Sequence, residues 1–251
     1  MKRFLHKITS LSVLVFGLSS AQRPVPAPKQ SSPIAITNVT IHTATGNVIE
    51  KGSIVFENGK ITSINANIPS NAKVIDASGK HVYPGFILLN NSLGLVEIAA
   101  TNATVDTREA NPFVPEVRTM IAFNSDSHVI PTVRTNGVLL AQPVLEGGVL
   151  RGTSSIMRLD AWNYEDAVAA KDNVLHLTWP QARKVPDEKR NKEFEEARLR
   201  NVGEIKSLFA RAKSYQPKSG IKDFKLEAIA PVFTGEKILF VDVATPNDVL
   251  E

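Results

Sequence analysis

Cysteine is absent from this chain of 251 residues, and histidine is scarce, with five. Without cysteine there can be no disulfide framework, no thiolate metal site and no lipid-carrying cysteine. No two histidines stand together on one predicted strand or four residues apart on one predicted helix, so no pair of imidazoles is spaced to hold one ion. The sequence therefore predicts a protein without stoichiometric zinc.

Long hydrophobic runs are also missing. The most apolar segment, Ile8–Leu18, is well short of the roughly 20 residues that a membrane-spanning helix needs. It lies between a cationic start and the small residues Ser19-Ser20-Ala21, an arrangement typical of a secretory signal. We therefore expect a signal peptide at residues 1–21 and a secreted or periplasmic protein with no membrane span after cleavage.

The chain has no strong excess of one charge sign. Its 29 Lys and Arg residues face 25 Asp and Glu, which gives a formal net charge of +4. The predicted signal peptide carries three of those cations, Lys2, Arg3 and Lys7, and no anion, so the mature protein is left at +1. A charge so close to zero predicts that nucleic acid is not a partner.

Composition and patterning divide the mature chain into three parts. Residues 22–33 are rich in Pro and Ser and predict an extended tether without packed structure. Residues 34–82 hold short alternating segments, and Asn58-Gly59 between two of them is a strong hairpin signal, so they predict a small antiparallel β unit. Residues 83–251 hold longer apolar runs and helical patterns.

In this third part the pattern predicts alternating strands and helices. Phe86–Leu89 is expected to be a strand buried on both faces, and the polar stretch 100–111 a loop over the mouth of a barrel. The remaining predicted elements are a helical layer over 115–136 ended by Gly137, strands at 138–142, 173–178 and 237–244, and helices at 187–213 and 224–233. A sheet built from these strands has two unpaired edges, the opening strand and the strand at 238–243.

The opening strand carries a family resemblance. The run Pro84-Gly85-Phe86-Ile87 resembles the start of the barrel in the amidohydrolase superfamily, and Asp76-Ala77-Ser78-Gly79-Lys80 is similar to the usual approach to it. The segment from Gly152 to Ala167 is similar to an imidazolonepropionase-related, secreted branch with degenerate metal ligands. The resemblance implies an α/β chain, an incomplete (β/α) TIM-type amidohydrolase barrel at 83–251, preceded by a small β-sandwich unit at 34–82, and it covers only the family's N-terminal part.

The resemblance also marks the positions where the family binds its metal. Asn90 and Ser92 stand at the two histidine positions of the opening strand, and Leu88 stands at the aspartate position. Asp242 stands where a later strand carries another histidine. Neutral Asn and Ser oxygens are poor zinc ligands and Leu88 has no ligand atom, so we predict no metal, no cofactor and no catalytic residue here, although the family uses Zn or another divalent metal.

The segment from Gly147 to Ala167 mixes glycine, hydroxyl groups and charge. One interpretation is a ligand-facing loop, in which Thr153, Ser154 and Ser155 hold an anion and Trp162 covers an apolar substrate. The other is a structural turn with Trp162 in the core, which we favour because the glycine spacing matches no phosphate loop. His176 alternates with apolar neighbours and is expected to be packed.

Three functions stay open. By resemblance, the protein is a metal-dependent hydrolase of C–N bonds in amides or cyclic amides, catalytically impaired in this chain unless Asp242 and Asn90 hold a hard cation such as Mg²⁺. The second is a non-catalytic secreted protein that binds a small molecule or a cell-surface polymer at the barrel mouth. The third is a fragment without independent function, which needs self-association or a second chain to supply missing strands.

Overall fold

The computed structural model describes residues 28, 30–183, 185–216 and 222–250. The predicted signal peptide at 1–21 lies outside these ranges and stays a prediction. The described residues form two compact units, one comprising those up to Ile41 with Ile49–His81, the other His42–Val48 with those from Val82 onward. Within the described ranges, no helix combines the length and apolarity needed to cross a membrane.

The strands of the N-terminal part form one five-stranded sheet. They are β1 (Ile34–His42), β2 (Val48–Glu57), β3 (Lys60–Ile64), β4 (Lys73–Asp76) and β5 (His81–Val82). Their order is β3-β2-β1-β4, and β5 also pairs with β1. β2 and β3 are antiparallel, but β4 runs parallel to β1, with Ile34 opposite Lys73. The prediction of a purely antiparallel unit is wrong, because the chain crosses from β3 to the far side of β1 before β4 begins.

The hairpin prediction is confirmed. Asn58 and Gly59 join β2 to β3 with φ values of 51° and 73°. Both central residues of the favoured two-residue hairpin turn need positive φ, which Asn and Gly adopt most readily. Gln30, in the predicted tether, contacts this hairpin: its Nε2 donates to Phe56 O at 3.0 Å and its Oε1 accepts from Asn58 N at 2.9 Å. The end of the tether is therefore packed, contrary to expectation.

The larger unit is a mixed α/β structure around a second five-stranded sheet. Its strands are β6 (Phe86–Asn91), β7 (Val138–Pro143), β8 (Leu150–Arg158), β9 (Val168–Thr178) and β10 (Ile238–Asp242), in the order β10-β9-β8-β7-β6. β6 and β7 are parallel, as are β9 and β10. β8 is antiparallel to both β7 and β9. The β-α-β unit predicted from 86 to 142 is confirmed, whereas β8 breaks the expected parallel alternation.

Five helices accompany this sheet in the described ranges: α1 (Val129–Thr135), α2 (Tyr164–Ala167), α3 (Glu188–Lys213), α4 (Phe224–Ile229) and α5 (Pro231–Thr234). The predicted long helix is confirmed as α3, where the Asp187 side chain accepts from Arg190 N at 3.1 Å as an N-cap. The helix expected at 224–233 is divided, because Pro231 has no backbone N–H to continue it. Only a short 3₁₀ turn, Thr119–Ala122, forms in the first half of the predicted helical layer.

Two hydrophobic clusters hold the larger unit together. One packs the sheet against α3 and α4, with Leu150, Leu175 and Leu177 meeting Ile205, Leu208, Ala212, Leu226 and Ile229. The other surrounds Met157, with Met120, Phe123, Ile130, Ala141, Leu159, Ala161 and Ala167. β8 supplies residues to both, so the central strand of the sheet is buried by two separate layers.

The edge strands are apolar and exposed. Phe86, Ile87, Leu88 and Leu89 expose between 38% and 66% of their surface, and Ile238 exposes 61%. The prediction that β6 is buried on both faces is therefore wrong within the described residues. The prediction that β6 and the strand at 238–243 are the two sheet edges is confirmed by the strand order.

Exposed edge strands of this kind predict association. We expect the protein to self-associate at micromolar concentration, because β6, an edge strand among the described residues, offers unpaired backbone groups there beside apolar side chains. Replacing Ile87 and Leu89 by Lys should shift it toward monomer by light scattering after size-exclusion chromatography. Leu199→Lys, on the exposed surface of α3, is the matched control and should leave the mass unchanged. A wild-type monomer with one cooperative thermal transition would contradict the prediction.

Candidate functional site

An ion pair lies where β9 and β10 end. β8 is antiparallel to β9, so its first residues stand beside the carboxyl end of β9, with Leu150 opposite Leu177, while Asp242 ends β10. Arg151 Nη2 is hydrogen-bonded to Asp242 Oδ2, and Arg151 Nη1 donates to Leu145 O at 3.0 Å. The Arg151 side chain is buried, whereas that of Asp242 keeps 34% of its surface exposed. The guanidinium is thus fixed and the carboxylate is reachable from solvent.

A neutral polar pair lies deeper in the same sheet. Ser154 Oγ and His176 Nε2 are 2.8 Å apart, and both residues are fully buried. Burial, and secondarily the charge of Arg151, lower the pKa of His176 to about 4. The imidazole is therefore uncharged at neutral pH. Its other nitrogen, Nδ1, is buried without a hydrogen-bond partner among the described residues.

The chemistry of this pair is limited by access. A serine hydroxyl bonded to an imidazole is the arrangement of an activated nucleophile and its base. Neither Ser154 nor His176 exposes any surface, so a substrate atom has no approach to the hydroxyl. Ser154 Oγ and His176 Nε2 are therefore hydrogen-bond partners for each other inside the sheet. The expectation that His176 is packed is confirmed.

The motif-equivalent residues lie on opposite edges of the sheet or just after its edge strand. Asn90 and Leu88 are on β6 and Asp242 is on β10, and three strands separate these two edges. Asn90 is exposed, has φ of 48°, and donates its backbone N–H to Gln142 Oε1 at 3.4 Å. Ser92 follows β6 and is half-buried. The described ranges contain no group of three His, Asp or Glu residues arranged to hold a metal ion.

The predicted ligand loop is a strand. Thr153, Ser154 and Ser155 belong to β8 and are buried. Thr153 Oγ1 donates to Pro115 O at 3.1 Å, and Ser155 Oγ accepts from Asp172 N at 2.8 Å. Both interpretations of these three residues, as a loop and as a turn, are therefore wrong. Their hydroxyl groups bond to Pro115, His176 and Asp172, which are distant in sequence, so the sequence pattern gave no sign of these partners. Trp162 is 43% exposed and is not in the core.

Sequence reasoning missed Arg151 and Gln142. Arg151 stands between apolar residues of a buried strand, and a cation in that position signals a buried carboxylate partner. Gln142 is 96% buried, and its Oε1 reaches the backbone of Asn90 on the next strand. Because Gln142 is the last residue of the predicted strand at 138–142, nothing in the sequence indicated that it is buried or that it contacts Asn90.

The depressed pKa of His176 predicts a pH dependence of stability. Below the ordinary pKa of 6.5 the unfolded chain takes up a proton that the folded protein does not, so stability falls from pH 6.5 down to about 4. The difference is about 3 kcal/mol over that interval. His176→Gln should flatten the urea-unfolding free energy against pH by this amount, relative to wild type. Parallel profiles for the two proteins would rule the prediction out.

The ion pair predicts an asymmetry between its two halves. Asp242→Asn leaves a buried guanidinium without its anion and should lower the free energy of unfolding by about 2 kcal/mol, less than for a fully buried pair because Asp242 is partly exposed. Arg151→Met removes the buried charge and should cost less. Urea unfolding of both variants measures this; a larger loss in Arg151→Met would contradict it.

Comparison with known proteins finds similar structures, but no matching family model and no matching curated protein. It is similar to the structure of an amidohydrolase from Thermotoga maritima MSB8, with a TM-score of 0.73 and 20% identity over 86% of this chain. The chain spans 60% of that protein's length.

Two prolidase structures overlap less closely. A prolidase complexed with N-methylphosphonate-L-proline has a TM-score of 0.39 at 14% identity, covering 87% of this chain and 58% of its own. A putative prolidase from Bifidobacterium longum has a TM-score of 0.32 at 16% identity, covering 87% and 51%. At 20% identity, the similarity to the Thermotoga maritima structure establishes the fold and nothing further. Over the compared region this chain has the fold of that amidohydrolase.

Proposed function

We propose that this chain is an amidohydrolase-type protein that binds a small molecule beside Asp242 without hydrolysing it on a metal ion. The observation that carries the proposal is the Arg151–Asp242 ion pair. By resemblance, Asp242 occupies the position of a metal-binding histidine. The guanidinium of Arg151 already neutralises the charge of Asp242, so a divalent cation could bind there only by displacing that guanidinium.

The cost of that displacement supports the proposal. Arg151 is buried, and separating it from Asp242 leaves an uncompensated charge in the sheet. Asn90 and Ser92, at the other motif positions, offer neutral oxygens that bind zinc weakly. Neither side chain stands on a strand next to β10. Neutral oxygens at Asn90 and Ser92 and a carboxylate already paired at Asp242 are a poor match for the ligand set that metal-activated water needs, which supports the proposal.

The ligand class follows from what Asp242 leaves accessible. Its side chain is 34% exposed and Arg151 engages Oδ2, so Oδ1 can accept a hydrogen bond from a ligand. A carboxylate oxygen recognises N–H donors, and amides and cyclic amides carry them. The proposed ligand is therefore the same class of compound that the resemblance implies as substrate, bound intact.

Metal-dependent hydrolysis of C–N bonds is the second candidate, favoured by the fold shared with the Thermotoga maritima amidohydrolase. In that case the metal ligands are residues other than Asn90, Ser92 and Asp242. The two candidates differ in one readout, turnover that depends on a divalent metal.

An assay separates the two. We expect hydrolysis of simple amides, lactones and dipeptides to stay at background with added Zn²⁺, Mn²⁺ or Mg²⁺, and Asn90→His with Ser92→His not to raise it, because Asp242 remains paired and three strands away. Calorimetry with the amide panel should show binding that Asp242→Ala weakens at least tenfold and the exposed Asp160→Asn leaves unchanged. Metal-dependent turnover by wild type would favour the hydrolase.

A further inference from the structure

A cavity lies at the opposite end of β10 from Asp242. It encloses about 330 Å³, at the lower end of the range for small-ligand pockets. Five charged residues line it: Glu116, Arg118, Asp172, Glu227 and Lys237. Lys237 directly precedes β10, whereas Asp242 is its last residue, so this cavity is distinct from the site at the Arg151–Asp242 pair.

Backbone contacts fix the wall that carries Glu116 and Arg118. Val114 N donates to Leu150 O at 2.8 Å, and Thr153 N donates to Val117 O at 2.7 Å, so this segment runs along β8. Gly152 permits the approach, since a Cβ there would stand 2.7 Å from Val117 O and the residue has φ of 87°. The wall is set by main-chain geometry and does not depend on a ligand.

The cations of the cavity already have partners. Arg118 Nε lies 2.7 Å from Asp172 Oδ2, close enough for an ion pair although not aligned as a hydrogen bond. Lys237 Nζ donates to Ala228 O at 2.8 Å and to Thr153 Oγ1 at 3.2 Å. Burial, as the largest cause, lowers the pKa of Lys237. Neither cation is directed at Glu116 by these contacts.

Glu116 is the unsatisfied member. Its Oε2 is buried and has no hydrogen-bond donor among the described residues. A carboxylate oxygen withdrawn from water without a donor is costly. Glu116 as a whole is only half-buried and borders the cavity, so a hydrogen-bond donor that enters the cavity can reach its carboxylate. Three carboxylates face two cations around the cavity, so the residual charge favours a positively charged ligand.

The remaining lining selects the kind of cation. Phe224 is two-thirds exposed and borders the cavity, offering an apolar surface beside the carboxylates. The charged groups include no three His, Asp or Glu residues placed to coordinate a metal, within the described ranges. We propose that this cavity binds a small organic ammonium ion, with the ammonium donating to Glu116 and a short apolar portion against Phe224.

Titration with n-butylammonium chloride tests the proposal, with 1-pentanol as the neutral probe of similar shape. Wild-type protein should bind the ammonium saturably in calorimetry, and its Tm should rise with probe concentration. Glu116→Gln keeps the shape and removes the charge, so affinity should fall at least tenfold. The exposed Glu109→Gln is the matched control and should bind as wild type does.

The variant also has a readout without any probe. Because Glu116→Gln removes the charge from a carboxylate whose Oε2 is buried without a donor among the described residues, its Tm should be no lower than that of wild type, which confirms that it folds. Absence of saturable binding by wild type, equal affinity in Glu116→Gln, or equal binding of 1-pentanol would each overturn the proposal. None of these outcomes depends on the Arg151–Asp242 site, so the two proposals fail separately.

Discussion

The larger unit depends on keeping a polar strand at the centre of its sheet. β8 is the middle strand of five, and it carries an arginine and three hydroxyl residues in positions that are fully or nearly fully buried. A buried polar group without a partner costs roughly 1–3 kcal/mol, more if charged, so each must find one. Their partners lie on three different parts of the chain: that of Arg151 on β10, that of Thr153 at Pro115, and those of Ser154 and Ser155 on β9.

The polar partners are sorted by charge along this strand. At its start the formal charges of Arg151 and Asp242 meet near solvent, whereas Ser154 and His176 in the middle are neutral. Toward its other end Ser155 bonds Asp172, which faces Arg118. Each of these charged pairs includes a carboxylate that keeps contact with solvent, whereas the neutral pair is fully buried, as desolvation requires.

Local patterns predicted much of this fold because their physics is local. The Asn58-Gly59 turn, the capped helix α3 and the β-α-β unit from β6 to β7 depend on backbone preferences and periodicity. The identity of β8 could not be predicted, because a strand of Gly, Thr and Ser is stable only once distant partners satisfy it. Exposure of β6 was missed for a similar reason, since apolarity indicates preference for burial and not whether a covering layer is present.

Asp172 shows how two requirements can leave one acceptable residue type. Its φ of 47° lies in the left-handed region, which glycine, asparagine and aspartate tolerate best. Its carboxylate also pairs with Arg118 and accepts from Ser155, and only aspartate or glutamate supplies that group. Aspartate is the one residue type that both tolerates this φ and supplies a carboxylate. Sequence variation in related chains should therefore be narrow at this position, and a change there should coincide with changes at Arg118.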